Sequence, residues 1–384
     1  MNTETVQMHG KGREEDGREM TDEVSDVKDT THATTLESSN HRTVYFDVLR
    51  IIAICAVVVL HVSGRNFNKT GVDTPEWQAL NFYDSIVRWG VPVFVMISGA
   101  LFLDGENSIG KLYKKNIARI LVAFIFWSML YAVKNMIFTD CGWQHTIKQF
   151  LLGHYHMWFL FMIVGLYMIV PLVKPIVKSM ELTKYFLLLS FAFTFMIPQT
   201  VRLVSLKYPS IASVANGMVG KIYFHFTLGY VSLFVCGYFL NKVDLGKRMR
   251  TVIYVLSICG FLTTIVGTSM LSVSGQKANV MFYDYLTVNV MLETVGIFVF
   301  MKDIFGRKAV SVRMERALGL LSKYSFGAYL VHIFVLDELG RIFGLNTMSF
   351  NAMISTPVIS MIVIVISFVI SAVLNHIPFL KKTV

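Results

Sequence analysis

Two side chains in the first apolar stretch can do chemistry that a plain membrane anchor does not need. Arg50 and His61 are eleven positions apart. That is almost three helical turns, so they share one helix face about 16 Å apart along the axis. A guanidinium binds phosphate or carboxylate oxygens through several donors, and a neutral imidazole deep in a membrane can accept a hydroxyl proton. Such groups are costly in hydrocarbon and mark polar paths where they occur. The stripe therefore reads as a route into the membrane from one surface. Asp47, three residues before Arg50, is placed to pair with it.

Other polar groups recur at helical spacing. Lys111, Lys115 and Arg119 follow one another at i+4, a stripe that suits phosphate or anionic lipid headgroups. Arg88 precedes Pro92 and the Ser98-Gly99 pair, which favour a kink and close helix packing. His154, Tyr155, His156 and Trp158 open another apolar run; an indole there offers a stacking surface for a sugar, and imidazoles offer hydrogen bonds to its hydroxyls. Ser325, Tyr329 and His332, at i, i+4 and i+7, form a second polar face able to look across a bundle at Arg50 and His61. Glu293, Asp337 and Glu338 are further acids in apolar segments, and spacing alone gives them no partner.

These groups need elements to hold them. The 384 residues are 54% hydrophobic and 16% charged, the balance of an all-α, polytopic membrane protein. Apolar runs about 20 residues long predict about ten transmembrane helices, near 44–63, 84–103, 117–138, 156–176, 184–198, 219–241, 251–273, 285–304, 324–344 and 355–376. The fifth is short and ends at Pro198. Residues 1–42 hold ten acids against five Lys or Arg and no apolar core of a signal peptide, so they read as a disordered acidic tail. The membrane part is then more basic than the overall +10. Its excess lies in the loops after the even-numbered helices, which predicts both termini cytoplasmic, with 377–384 a short basic tail. That pattern points to membrane lipids rather than nucleic acid as the partners of the charge. Cys55, Cys141, Cys236 and Cys259 show no paired ligand spacing, and neither a Walker loop nor a dinucleotide fingerprint is present. No metal and no resident cofactor are expected.

Arginine, ten residues, then histidine (Arg50, His61); Val91-Pro92-Val93-Phe94 followed by Ile97-Ser98-Gly99; a basic entry to helix three; His156-x-Trp158-Phe159-Leu160; and Ser325 with Tyr329-Leu330-x-His332 occur in this order. Together they resemble the acyltransferase type 3 family of integral membrane O-acyltransferases, over about residues 43–376. The resemblance implies transfer of an acyl group, commonly acetyl from acetyl-CoA, to a hydroxyl of a glycan or related acceptor across a bacterial plasma membrane. By matching positions it gives Arg50 and His61 the essential helix-one roles and makes Arg119 the second arginine of a helix-three pair. The first of that pair is Asn116 here, with Lys115 beside it to supply charge. Acyl-CoA as cosubstrate would then dock by its phosphates near Lys115, Arg119 and Arg50. His61 would deprotonate the acceptor or carry the acyl group itself. Arg88, His156, Trp158, Ser325, Tyr329 and His332 are candidate acceptor or oxyanion contacts. The same stripes would also suit a transporter of glycans or small solutes, or a membrane sensory domain without catalysis.

Overall fold

The computed structural model describes residues 23–105, 108–139, 142–221, 229–307 and 310–384; Cys141 and residues 1–22 of the acidic tail lie outside them. Among the described residues there are fifteen α-helices and no strand. They are α1 (Glu23–Gly64), α2 (Pro75–Ser85), α3 (Gly90–Asp104), α4 (Ile109–Lys111), α5 (Ala118–Phe138), α6 (Trp143–Leu152), α7 (Trp158–Val177), α8 (Met180–Ser190), α9 (Ile197–Ser205), α10 (Pro209–Lys221), α11 (Val231–Lys242), α12 (Lys247–Ser274), α13 (Val288–Phe305), α14 (Val312–Phe343) and α15 (Ala352–His376). Helix α1 starts at Glu23, inside the tail read from sequence as disordered. Extending a helix that the apolar segment has already nucleated costs little.

Among the described residues, eight helical stretches are long and apolar enough to cross a membrane. Two of the ten expected segments, at α11 and α13, do not meet that standard. Helix α11 has twelve described residues, and α13 carries Glu293, Lys302 and Asp303 within eighteen. Two boundaries also move. The second segment breaks at Ile86–Trp89, between α2 and α3, and Pro92 sits in the first turn of α3. The fifth runs to Ser205 as Met180–Ser205, because the π turn Phe191–Met196 leaves Pro198 in the first turn of α9, where a missing N–H is tolerated.

Helices α1 and α14 are parallel neighbours held in register. Arg50 Nη1 donates to Ser322 Oγ at 3.3 Å and Arg65 Nη1 to Asp337 Oδ1 at 3.0 Å, and both pairs are 272 residues apart in sequence. The polar faces of the two helices therefore meet along their length. Helices α3 and α11 cross with backbones touching: a Cβ on Gly99 would fall 1.7 Å from the Phe234 carbonyl oxygen, and one on Gly237 2.0 Å from that of Met96. Only glycine fits there.

The acids of the apolar segments find partners. Asp337 pairs with Arg65 and with Lys134 of α5 at 3.0 and 3.1 Å, and Glu338 pairs with Lys134 at 3.1 Å and with Arg341. Glu293 is fully buried, and the Thr264 hydroxyl donates to it. Basic loops gather at the end of the bundle that carries Arg50, where Arg250 and Arg307 pair with Asp303 at 2.9 and 3.0 Å. Arg65, Lys134 and Asp337 mark the opposite end.

Candidate active site

Arg50 ends one side of a cavity of about 280 Å³ whose walls include Ser98, Phe102, Asn116, Arg119, Tyr167, Ser325 and Tyr329. Its guanidinium is steered by Asp47 Oδ1 at 3.0 Å and by Ser322. Arg119 enters from α5 and donates to the main-chain oxygen of Val384 at 3.0 Å, with its guanidinium 5.6 Å from the Phe326 ring centre. Trp127 holds the same C-terminal segment by donating to the Thr383 oxygen at 3.0 Å.

Lys115 does not line this cavity. The π turn Leu112–Ile117 adds a residue to the repeat, with the Ala118 N–H reaching back to the Tyr113 oxygen. The i+4 stripe of Lys111, Lys115 and Arg119 is thereby broken. Asn116 turns to the cavity and Lys115 stands exposed.

At its inner end the cavity stops at Phe159 and Tyr329. Beside Tyr329 three imidazoles from separate elements converge. His61 comes from the last turn of α1 and His332 from α14, their ring centres 5.2 Å apart. His156 lies 5.2 Å from His332 and 6.4 Å from His61. The approach of His156 is set by the chain before α7. Gly153 adopts φ +73°, a left-handed conformation that suits glycine. The 3₁₀ turn Tyr155–Met157 follows, closed by the Met157 N–H on the His154 oxygen at 2.7 Å. His156 is thus buried at 2% exposure rather than spread along a membrane interface. Its Nδ1 is 3.0 Å from Nδ1 of His154, so one of the two rings donates and the other accepts.

His332 is fully buried and its Nδ1 lies 2.5 Å from the Tyr329 carbonyl oxygen. A carbonyl only accepts, so Nδ1 carries the proton and Nε2 of the neutral ring keeps its lone pair. Tyr329 donates its hydroxyl to the His156 carbonyl oxygen. Ser325 donates to the Ser322 oxygen of its own helix at 2.7 Å. His61 is half-buried and Tyr155 stands over it at 5.5 Å, so His61 is the cluster member nearest the opposite end's surface.

Arg88 and Trp158 each have protein partners of their own. Arg88 pairs with buried Asp84 at 2.5 Å and lies 3.9 Å from the Tyr283 ring centre. Trp158 packs beside Tyr285 and Tyr230, at 5.9 and 5.8 Å.

Sequence spacing did not single out Tyr131. Its hydroxyl donates to the Leu330 oxygen at 2.9 Å and accepts the Phe334 N–H at 3.1 Å. Those are the two groups an undisturbed helix would join directly. The hydroxyl is inserted into the α14 hydrogen-bond ladder across His332, a recognised cause of local helix distortion. A tyrosine in a mostly apolar helix is the signal the sequence offers, and it does not distinguish this role from ordinary packing.

Among the described residues no group of three or more His, Cys, Asp or Glu side chains is arranged to hold a metal ion. A family model described as an acyltransferase domain matches residues 43–376. The comparisons with curated proteins and with solved structures gave no match.

Proposed function

The chain belongs to the acyltransferase type 3 family, and from that premise we propose that it moves an acyl group, acetyl in the first instance, from acyl-CoA to a hydroxyl of a glycan or related acceptor across a cell membrane. The observation that carries this reading is the cavity with Arg50 and Arg119 at its basic end and Tyr329, beside the three imidazoles, at its inner end. Two guanidiniums suit the phosphates of a coenzyme A donor. The apolar walls between them and Tyr329 suit an extended, uncharged arm that delivers a thioester inward. The ~16 Å from Arg50 to His61, taking helical rise as the ruler, matches a delivery of that kind.

In this mechanism the acceptor hydroxyl reaches the histidines from the end opposite Arg50. His61 takes its proton as the oxygen attacks the thioester carbonyl. The carbon–sulfur bond then breaks, the ester is formed, and the proton passes from His61 to the departing thiolate. The acidic network of Asp337 and Glu338 with Lys134 and Arg65 braces α1, α5 and α14 around that point.

The test is His61→Ala in membranes of expressing cells supplied with [14C]acetyl-CoA. Label in the lipid-linked and insoluble glycan fractions is expected to fall on the order of 100-fold or more against the parent, the size of a lost general base. Parent-level label in a variant present at normal abundance overturns the assignment.

A further inference from the structure

We propose that His332 is the positioning partner of His61: its Nε2 accepts the N–H of the His61 ring, fixing the tautomer that leaves the other His61 nitrogen free to take a proton. Three observations lead there. First, the Nδ1 of His332 is committed to the Tyr329 carbonyl oxygen at 2.5 Å, which leaves Nε2 as an acceptor. Second, that Nε2 is buried and has no hydrogen-bond partner. An unpaired buried acceptor destabilises a fold, so a site that keeps one has a use for it. Third, the His61 and His332 ring centres are 5.2 Å apart. The His154 and His156 rings stand at that same separation while their nitrogens touch at 3.0 Å, so this spacing is compatible with a nitrogen-to-nitrogen hydrogen bond between His61 and His332.

His156 is the competing donor, also 5.2 Å from His332 and with an unpartnered Nε2. Its ring meets His332 edge to face at 82°, against a 40° tilt for His61. What separates the two is room to turn: His156 is 2% exposed and its Nδ1 is already engaged with His154, whereas His61 is the less buried ring.

The resulting chain, hydroxyl to His61 to His332 to the Tyr329 carbonyl, follows the general logic of a base oriented by a third group. No new bond is made in it. The proton that leaves the hydroxyl rests on His61, whose imidazolium is steadied by His332, and then goes to the thiolate. It also changes the part expected of His332 from sequence: a ring whose only free nitrogen is an acceptor cannot donate to an oxyanion while neutral. The inference rests on the acyl-transfer reading for its consequence in rate, and on geometry alone for the pairing.

The experiment uses the full chain in membranes, with two readouts. Diethyl pyrocarbonate attacks unprotonated imidazole nitrogen, and mass spectrometry follows its addition to His61. His332→Asn keeps a donor for the Tyr329 oxygen but has nothing at the Nε2 position, whereas His332→Gln restores an acceptor there. His332→Asn is expected to slow His61 modification about tenfold and to lower [14C]acetyl transfer on the order of 100-fold, with His332→Gln recovering part of both. Equal losses in Asn and Gln, or parent-rate modification of His61 in His332→Asn, overturn the proposal. If the parent itself transfers no label, the acyl-transfer reading fails while His61 reactivity still decides the pairing. Nitrogen-15 spectra of histidine in the unmutated protein need no variant. A neutral His332 ring protonated at Nδ1 is expected, and one protonated at Nε2 overturns the inference.

Discussion

At the scale of single residues, the two arginines of the cavity differ in how they are held. Arg50 is paired to Asp47 and reaches Ser322, so its charge is partly answered before any ligand arrives. Arg119 donates to the Val384 oxygen, packs on an aromatic face and lines the cavity, where a guanidinium can also bind an anion. Arg119→Ala is therefore expected to raise the KM for acetyl-CoA about tenfold, the ~1.4 kcal/mol of one charge-assisted contact, with kcat little changed. Initial rates at varied acetyl-CoA check it, and an unchanged KM removes Arg119 from the donor site. Lys115→Ala, exposed on the π turn, serves as the control with no expected effect.

At the scale of elements, the site depends on helices that approach closely and keep register. Parallel packing of α1 on α14 at a constant offset makes Arg50 meet Ser322 and His61 meet His332 with no loop between them. The crossing of α3 and α11 leaves no room for a Cβ at Gly99 or Gly237. Since α3 also supplies Phe94, Ser98 and Phe102 to the cavity, Gly99→Ala is expected to destabilise the protein by about 1–3 kcal/mol or more, as overpacking does. Thermal unfolding in detergent reads this as a lowered midpoint, and a midpoint equal to the parent's contradicts the close crossing. The polar stripe of α14 and the need for small residues at Ser98-Gly99 were legible in sequence, because helical period and residue size are local properties. The register of α1 on α14, the partner Gly237 and the ladder insertion of Tyr131 were not. Each depends on which helix lies beside which, and one sequence does not record that. The stripe through Lys115 misled for a related reason: a π turn changes the period within six residues, and nothing in Leu112–Ile117 announces it.

At the scale of the whole molecule, the two ends of the bundle differ in charge, and the mechanism requires them to face different compartments. The end with Arg50 and Arg119 also carries exposed Lys111, Lys114, Lys115, Lys247 and Arg248, an excess that favours retention on the cytoplasmic side during insertion. At the other end several cations are already matched: Arg65 and Lys134 by Asp337, and Arg202 by Asp284 at 2.7 Å. Under the proposed function, the arginine cavity then opens to the side where acyl-CoA is made, and His61 with Tyr155 lies toward the side of the proposed acceptor. Exposed Lys69, in the turn after α1, and exposed Lys247, at the start of α12, report the two faces. In intact cells a membrane-impermeant maleimide is expected to label Lys69→Cys above the parent background and to leave Lys247→Cys unlabelled until the cells are opened. The reverse pattern would turn the arginine cavity away from the cytoplasmic acyl-CoA of the proposed reaction and overturn this orientation.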